Sequence, residues 1–96
     1  VFGITAVDTL EDCYAIIAAS PFGNAASIFT QSGGAAREFA YRVACGNIGI
    51  NIGIAAPIAF FPFGVMKDSF FGVLHGQGQD AMFFFTDTKI VLSRWF

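Results

Sequence analysis

Residues 60–72 read Phe-Phe-Pro-Phe-Gly-Val-Met-Lys-Asp-Ser-Phe-Phe-Gly. Five phenylalanines, Pro62 and two glycines surround one polar cluster, Lys67-Asp68-Ser69. A core strand does not accommodate Pro62, Gly64 and Gly72, and a surface loop has no use for five large rings. The stretch therefore reads as an ordered loop that folds into a cavity and lines it with aromatic side chains. Asp68 is a carboxylate among rings and needs a partner, which Lys67, Ser69 or a backbone amide can supply.

Upstream of this loop the hydrophobic pattern alternates between the two regular periods. Residues 1–7 form an apolar, β-leaning run that reads as a buried strand. Asp8 and Thr9 follow as capping residues, with Glu11 three positions after Asp8 in capping-box spacing. A helix over residues 10–19 places Leu10, Cys13, Tyr14 and Ile17 on one face. Residues 20–24, Ser-Pro-Phe-Gly-Asn, end it as a turn. Residues 25–30 read as a short strand. Ser32 caps a second helix over residues 34–43, with Ala36, Phe39, Ala40 and Val43 on its inner face and Gly46 at its left-handed C-terminal position. Residues 47–54 alternate isoleucine with glycine, a strand whose glycines admit close backbone approach. Downstream of the loop, residues 77–85 read as a helix and residues 89–94 as a strand that pairs with something. The β-α-β-α-β order indicates an α/β layer rather than a bundle or sandwich.

Composition sets the limits. Of 96 residues, 55% are hydrophobic, thirteen are phenylalanine and only 12% are charged. A chain this short buries only about 60–65% of its unfolded surface. The apolar excess therefore implies a further covering surface: the rest of a larger subunit, a neighbouring subunit or a bilayer. Val1 in place of a methionine points to a cut chain. A net charge of −2 and five scattered basic residues leave no footprint for nucleic acid. Cys13 and Cys45 have no metal-site spacing, and reduced thiols in the cytoplasm are the default, or in the mitochondrial matrix for a eukaryotic source.

Several features have plain readings. The uncharged run between Arg42 and Lys67 is long enough to span a bilayer, but Pro57, Pro62, two asparagines and four glycines argue against a spanning helix and against a small membrane-associated protein. Residues 76–81, Gly-Gln-Gly-Gln-Asp-Ala, match a dinucleotide-binding pattern, yet the βαβ unit and downstream acid that the pattern needs are missing. His75, the single histidine, lacks a nucleophile in a recognisable setting and reads as a structural or surface hydrogen-bonding residue. Cys45 falls near a helix C-terminus, where the dipole disfavours a thiolate, so packing explains it, as it does Cys13. Asp8, Glu11 and Asp12 suit the positive end of a helix. Glu38 and Arg42 form an i,i+4 pair on a solvated face.

The aromatic loop also resembles a known segment. Pro62-Phe63-Gly64, followed by Lys67 and Ser69, is similar to the Pro-Phe-Gly-Gly-x-Lys-x-Ser segment of aldehyde dehydrogenases, and its Lys-Asp-Ser-Phe-Phe-Gly continuation resembles the CoA-acylating methylmalonate-semialdehyde dehydrogenase branch. The likeness extends over nearly the whole chain: the acidic helix start at residues 8–12, the Pro-Phe-Gly-Asn turn with the strand at 26–30, Gly49-Ile50-Asn51, Phe84-Phe85-Thr86 with Lys89, and the closing Ser93-Arg94-Trp95. It departs at Val65, where a second glycine is usual, and at Gly53 and Ala55, where the branch often has prolines.

This resemblance implies an α/β segment of the family's catalytic domain, residues 1–86, with a substrate loop at 55–72. Residues 87–96 would be an oligomerisation strand completing a sheet across subunits of a homo-oligomer, a tetramer. It further implies oxidation of a small semialdehyde, with NAD as hydride acceptor and CoA as acyl acceptor, giving propionyl-CoA or acetyl-CoA with loss of carbon dioxide. The cysteine nucleophile and the cofactor-holding glutamate have no counterpart in these residues, so no catalytic residue is carried over. Phe63 is the ring expected to face the aldehyde pocket, with Phe61 the weaker candidate, and their expected role is to exclude water and shape the acyl site. Another NAD(P)-dependent aldehyde dehydrogenase, a small membrane-associated protein and a free-standing binding module with an aromatic platform are the rival readings.

Overall fold

A computed structural model describes residues 1–72 and 75–96. Helix α1 spans Leu10–Ala19, strand β1 Phe22–Gly23, β2 Ala25–Ile28, α2 Gly33–Arg42, β3 Asn47–Ile50, β4 Met66–Lys67 and α3 Asp80–Phe84. β2 and β3 pair in parallel, from Ala25 opposite Asn47 to Ile28 opposite Ile50, and α2 makes the crossover between them. β1 pairs antiparallel with β4, which returns from the far end of the aromatic loop to place Lys67 opposite Phe22.

The helices form where capping and apolar spacing agree. The box at the start of α1 is one residue later than the Asp8–Glu11 spacing indicates: Thr9 is the N-cap and Asp12 its reciprocal partner. Asp12 Oδ2 accepts from the Thr9 amide at 3.1 Å, and Thr9 Oγ1 from the Asp12 amide at 3.3 Å. Both pairs have the i,i+3 spacing that a box requires, and the threonine directly before Leu10 takes it. Ser32 caps α2 as its sequence indicates, accepting from the Ala35 amide at 3.2 Å. The core lies where the two helices meet the parallel pair: Tyr14, Ile28, Phe39, Val43 and Cys45, with Ile17, Ala26 and Ile48 packed against them. Phe39, at 4% exposure, is the most enclosed of these.

Five expectations are corrected. Residues 1–7 form no strand, and Phe2 and Ile4 are each 85% exposed. Residues 89–94 form none either, with Ile90, Val91 and Leu92 all exposed. A strand exists only through hydrogen bonds to a neighbour, and the described residues supply none to either segment. β3 ends at Ile50 rather than 54 because Asn51 turns the chain at φ +57°. The third helix starts at Asp80 rather than 77, after Gly78 at φ +61°. Gly46 is not in the left-handed region, since α2 ends at an extended Val43. Gly46 is required instead by a backbone crossing, where an added Cβ would lie 2.1 Å from the carbonyl carbon of Gly64.

The molecule is open. Its radius of gyration is 18.5 Å with extents of 73 × 27 × 22 Å, whereas a compact domain of this length has a radius of gyration of about 12–13 Å. No helix among the described residues is long and apolar enough to cross a membrane. The uncharged run after Arg42 is instead β3 and the start of the loop.

Candidate functional site

The aromatic loop leaves β3 at Asn51 and rejoins the fold at β4. Asn51 fixes its departure: Oδ1 accepts from the Thr30 amide at 2.8 Å, Nδ2 donates to the Thr30 carbonyl at 3.0 Å, and the Asn51 amide donates to Ile28 O. Asn47 fixes its return. Its buried side chain donates through Nδ2 to Asn24 O at 3.0 Å and to Gly64 O at 2.7 Å. The two backbones meet without side chains at Gly46 and Gly64, which is why both positions are glycine.

The polar cluster then docks onto the end of α1. Lys67 Nζ donates to Ile17 O at 2.9 Å, Ala18 O at 3.3 Å and Ser20 O at 2.9 Å. The Asp68 amide donates to Pro21 O at 2.9 Å, and Ser69 Oγ accepts from the Gly23 amide at 2.9 Å. Lys67 is therefore engaged with the helix end, while the Asp68 side chain is exposed and has water to solvate it. The sequence reading offers Lys67, Ser69 or a backbone amide as the partner of Asp68 and does not connect Lys67 with α1. The signal it passed over is that α1 has no basic residue in its last turn, which leaves its negative end to be met from elsewhere.

Between these anchors the loop walls a groove of about 360 Å³, lined by residues 24–27, residues 53–56 and Phe63. Alanine, serine, glycine and asparagine make up most of that wall, so the half-buried Phe63 ring is its one large aromatic surface. The groove has enough volume for a small organic acid, and its lining is mostly apolar, with Asn24 and Ser27 the polar residues on it. Phe61 does not line it. That ring is exposed against Phe60, with centroids 5.0 Å apart, and its carbonyl accepts from Gln77 Nε2 at 3.2 Å.

His75 supports the loop by stacking rather than hydrogen bonding. Its ring lies 3.9 Å from Phe70 and 5.3 Å from Phe63, and Nε2 is enclosed with no hydrogen-bond partner among the described residues. Cys45 packs in the core and Cys13 is half-buried, as their settings indicate. Arg42 joins Glu38 at 3.0 Å and also forks onto Glu11, with Nη2 to Oε2 at 2.7 Å. The same guanidinium lies 4.1 Å over the Tyr14 ring. Hydrogen bonding from Arg42 holds the Glu11 carboxyl below the usual range, and the two carboxylates hold Arg42 above its own. Removal from water, reinforced by the Glu38 charge, raises the Tyr14 hydroxyl. This network ties α1 to α2, and none of its residues lines the groove.

The described residues do not cradle a dinucleotide. The glycines of residues 76–81 precede only a five-residue helix, and among the described residues no strand leads into them. Among the described residues, no group of three His, Cys, Asp or Glu is placed to hold a metal ion.

Comparison with known proteins agrees with this geometry. The family model described as "Aldehyde dehydrogenase family" matches residues 1–91. Malonate-semialdehyde dehydrogenase 2 of Geobacillus kaustophilus is 43% identical over 95 residues, covering 99% of this chain and 20% of that relative. Malonate-semialdehyde dehydrogenase 2 of Oceanobacillus iheyensis is 42% identical over the same length. Among solved structures, a methylmalonate-semialdehyde dehydrogenase from Oceanimonas doudoroffii superposes with a TM-score of 0.87 at 44% identity, over 93% of this chain and 18% of that one. A protein described as a putative methylmalonate-semialdehyde dehydrogenase, from Sinorhizobium meliloti and complexed with NAD, does so with a TM-score of 0.85 at 39% identity. The resemblance to the semialdehyde dehydrogenase branch is thereby borne out, as is the α/β class. The chain spans about a fifth of the length of the relatives it matches.

Proposed function

The chain belongs to the aldehyde dehydrogenase family, and on that premise we propose that it forms part of an NAD-dependent, CoA-acylating malonate- or methylmalonate-semialdehyde dehydrogenase subunit. The observation that carries this reading is the 42–43% identity to malonate-semialdehyde dehydrogenases over 95 of its residues. The open shape supports it: the fold that leaves residues 1–7 and 89–94 without partners matches chains more than five times longer at a TM-score of 0.87. The exposed rings and strands then belong against the rest of the subunit and against neighbouring subunits. Residues 87–96 are the proposed oligomerisation strand of a homo-oligomer, a tetramer, and Ile90, Val91 and Leu92 carry the apolar surface it needs. The compartment, cytoplasm or mitochondrial matrix, follows in this reading only from the two free thiols.

In the proposed reaction malonate semialdehyde, CoA and NAD give acetyl-CoA, carbon dioxide and NADH. The methylmalonate analogue gives propionyl-CoA. A thiolate nucleophile and a nicotinamide are both needed for such chemistry, and this reading assigns neither to residues of this chain. What these residues contribute is the wall of the acyl site. Phe63 presents a ring to the groove, excludes water from the reacting carbonyl and limits the substituent that fits. Phe61 has the supporting role of closing the loop against Phe60.

The test is a spectrophotometric assay of the full-length subunit carrying these 96 residues, with each semialdehyde, NAD, and CoA present or omitted. NADH formation that depends on CoA and yields acyl-CoA is expected. Oxidation to the free acid with no CoA dependence refutes the acyl-transfer assignment, and no oxidation of either semialdehyde refutes the substrate class.

A further inference from the structure

We propose that Lys67 is the positioning residue of the aromatic loop: by tying β4 to the end of α1 it fixes the depth of the Phe63 ring in the groove and thereby the acyl group accepted. This deepens the functional reading above and rests on its placement of Phe63 at the aldehyde.

The terminal carbonyls of a helix lack partners within the helix and sit at its negative pole. α1 supplies no cation of its own in its last turn. Lys67, about fifty residues later in the chain, meets all three donors of its ammonium to that end, at Ile17, Ala18 and Ser20. Its backbone is held at φ +55° while it pairs with Phe22. A non-glycine residue stays in the left-handed region when its surroundings over-determine it. The two neighbouring bonds, Asp68 to Pro21 and Gly23 to Ser69, repeat the same docking.

Three residues separate Lys67 from Phe63, and the segment between them is pinned at its other end by Asn47 on Gly64 O. Phe63 is thus the first side chain beyond a strap fastened at both ends. The rest of the groove wall is mainly small residues, so a shift of that ring changes the groove more than a shift of any other lining group. Lys67 is itself exposed, and water can solvate the carbonyls it leaves. Its loss therefore moves the loop without emptying the core, which separates positioning from folding.

The experiment compares steady-state kinetics of the full-length subunit with its Lys67→Met, Lys67→Arg and Phe63→Ala variants, using malonate semialdehyde and, as an uncharged probe, propanal. Lys67→Met is expected to raise KM for malonate semialdehyde about tenfold and to shrink its preference over propanal, with kcat within about twofold. KM for NAD stays unchanged. Lys67→Arg, which still donates to carbonyls, recovers most of the loss. Unchanged aldehyde KM in Lys67→Met, with or without a lower Tm, overturns the proposal, as does an arginine variant no better than the methionine one. If Phe63→Ala also leaves aldehyde KM unchanged, the placement of Phe63 at the aldehyde has failed, and the strap falls with it. Should Lys67→Met be insoluble, Ser69→Ala replaces it: a raised aldehyde KM supports the strap and an unchanged one overturns it.

Discussion

Replacing Gly46 by alanine adds one methyl group where its backbone crosses that of Gly64. The new Cβ would lie 2.1 Å from Gly64 C and 2.2 Å from both Gly64 O and Val65 N. Non-bonded carbon contacts are comfortable at about 3.5–4.0 Å. The obstructing atoms are all main chain, so no side-chain rotation relieves the clash and the two backbones must part by more than about 1 Å. That separation stretches the 2.7 Å bond from Asn47 Nδ2 to Gly64 O beyond hydrogen-bonding range. Overpacking costs about 1–3 kcal/mol and a buried group left unpaired about 1–3 kcal/mol. With partial relaxation the expected loss is about 2–4 kcal/mol. For a domain of 150–250 residues this lowers Tm by about 4–16 °C. The assay is thermal unfolding of the full-length subunit, with aldehyde KM measured alongside because the displaced segment carries Phe63. Gly64→Ala, whose Cβ would lie 2.6 Å from Gly46 O, provides the reciprocal test. A Gly46→Ala protein with wild-type Tm and wild-type aldehyde KM would refute the crossing as described.

Other outcomes follow from the same contacts. Asn47→Ala leaves Gly64 O without its donor, while Asn24 O keeps the Asn47 amide, so denaturant titration should show a loss of about 2 kcal/mol. Asn47→Asp should lose at least as much, because an acceptor then faces two carbonyls. The Glu11 carboxyl is held below its ordinary value of 4.5 by Arg42. Its stabilising contribution is accordingly present above that pH and disappears as pH falls through the lowered folded value. The Tm difference between wild type and Glu11→Gln should therefore shrink on acidification below pH 4.5, and a difference that grows contradicts the pairing. The isolated 96-residue chain should reduce no NAD with either semialdehyde, and measurable turnover by it would contradict the assignment of the nucleophile and nicotinamide site to other parts of the enzyme.

What was legible in the sequence is what neighbours in sequence determine. The bounds of α1 follow from Thr9, the apolar spacing around Tyr14 and the Ser-Pro turn, and Ser32 announces α2 in the same way. The βαβ unit follows from the change of period between residues 25 and 50. Residues 1–7 and 89–94 have strand composition but form no strand here, because a strand also needs a partner that composition does not disclose. The loop was recognised from its rings, but its fastening was not. Lys67 meets carbonyls about fifty residues away, and Asn47 meets Gly64 across seventeen. Nothing near Asn47 marks its bond, and for Lys67 the one indication is the missing cation at the end of α1. Gly46 was assigned a helix-end role because glycine has several uses, and only the path of a second backbone tells a crossing from a cap.

The account depends on the exposed aromatic and strand-forming segments being surfaces that other protein covers. Small-angle scattering from the purified 96-residue chain, combined with a dye for apolar surface and a thermal melt, tests this most directly. A radius of gyration at or above the 18.5 Å of the open form, bright dye binding and no cooperative transition are predicted. A radius near 12–13 Å, with no dye binding and a sharp melt, would contradict it.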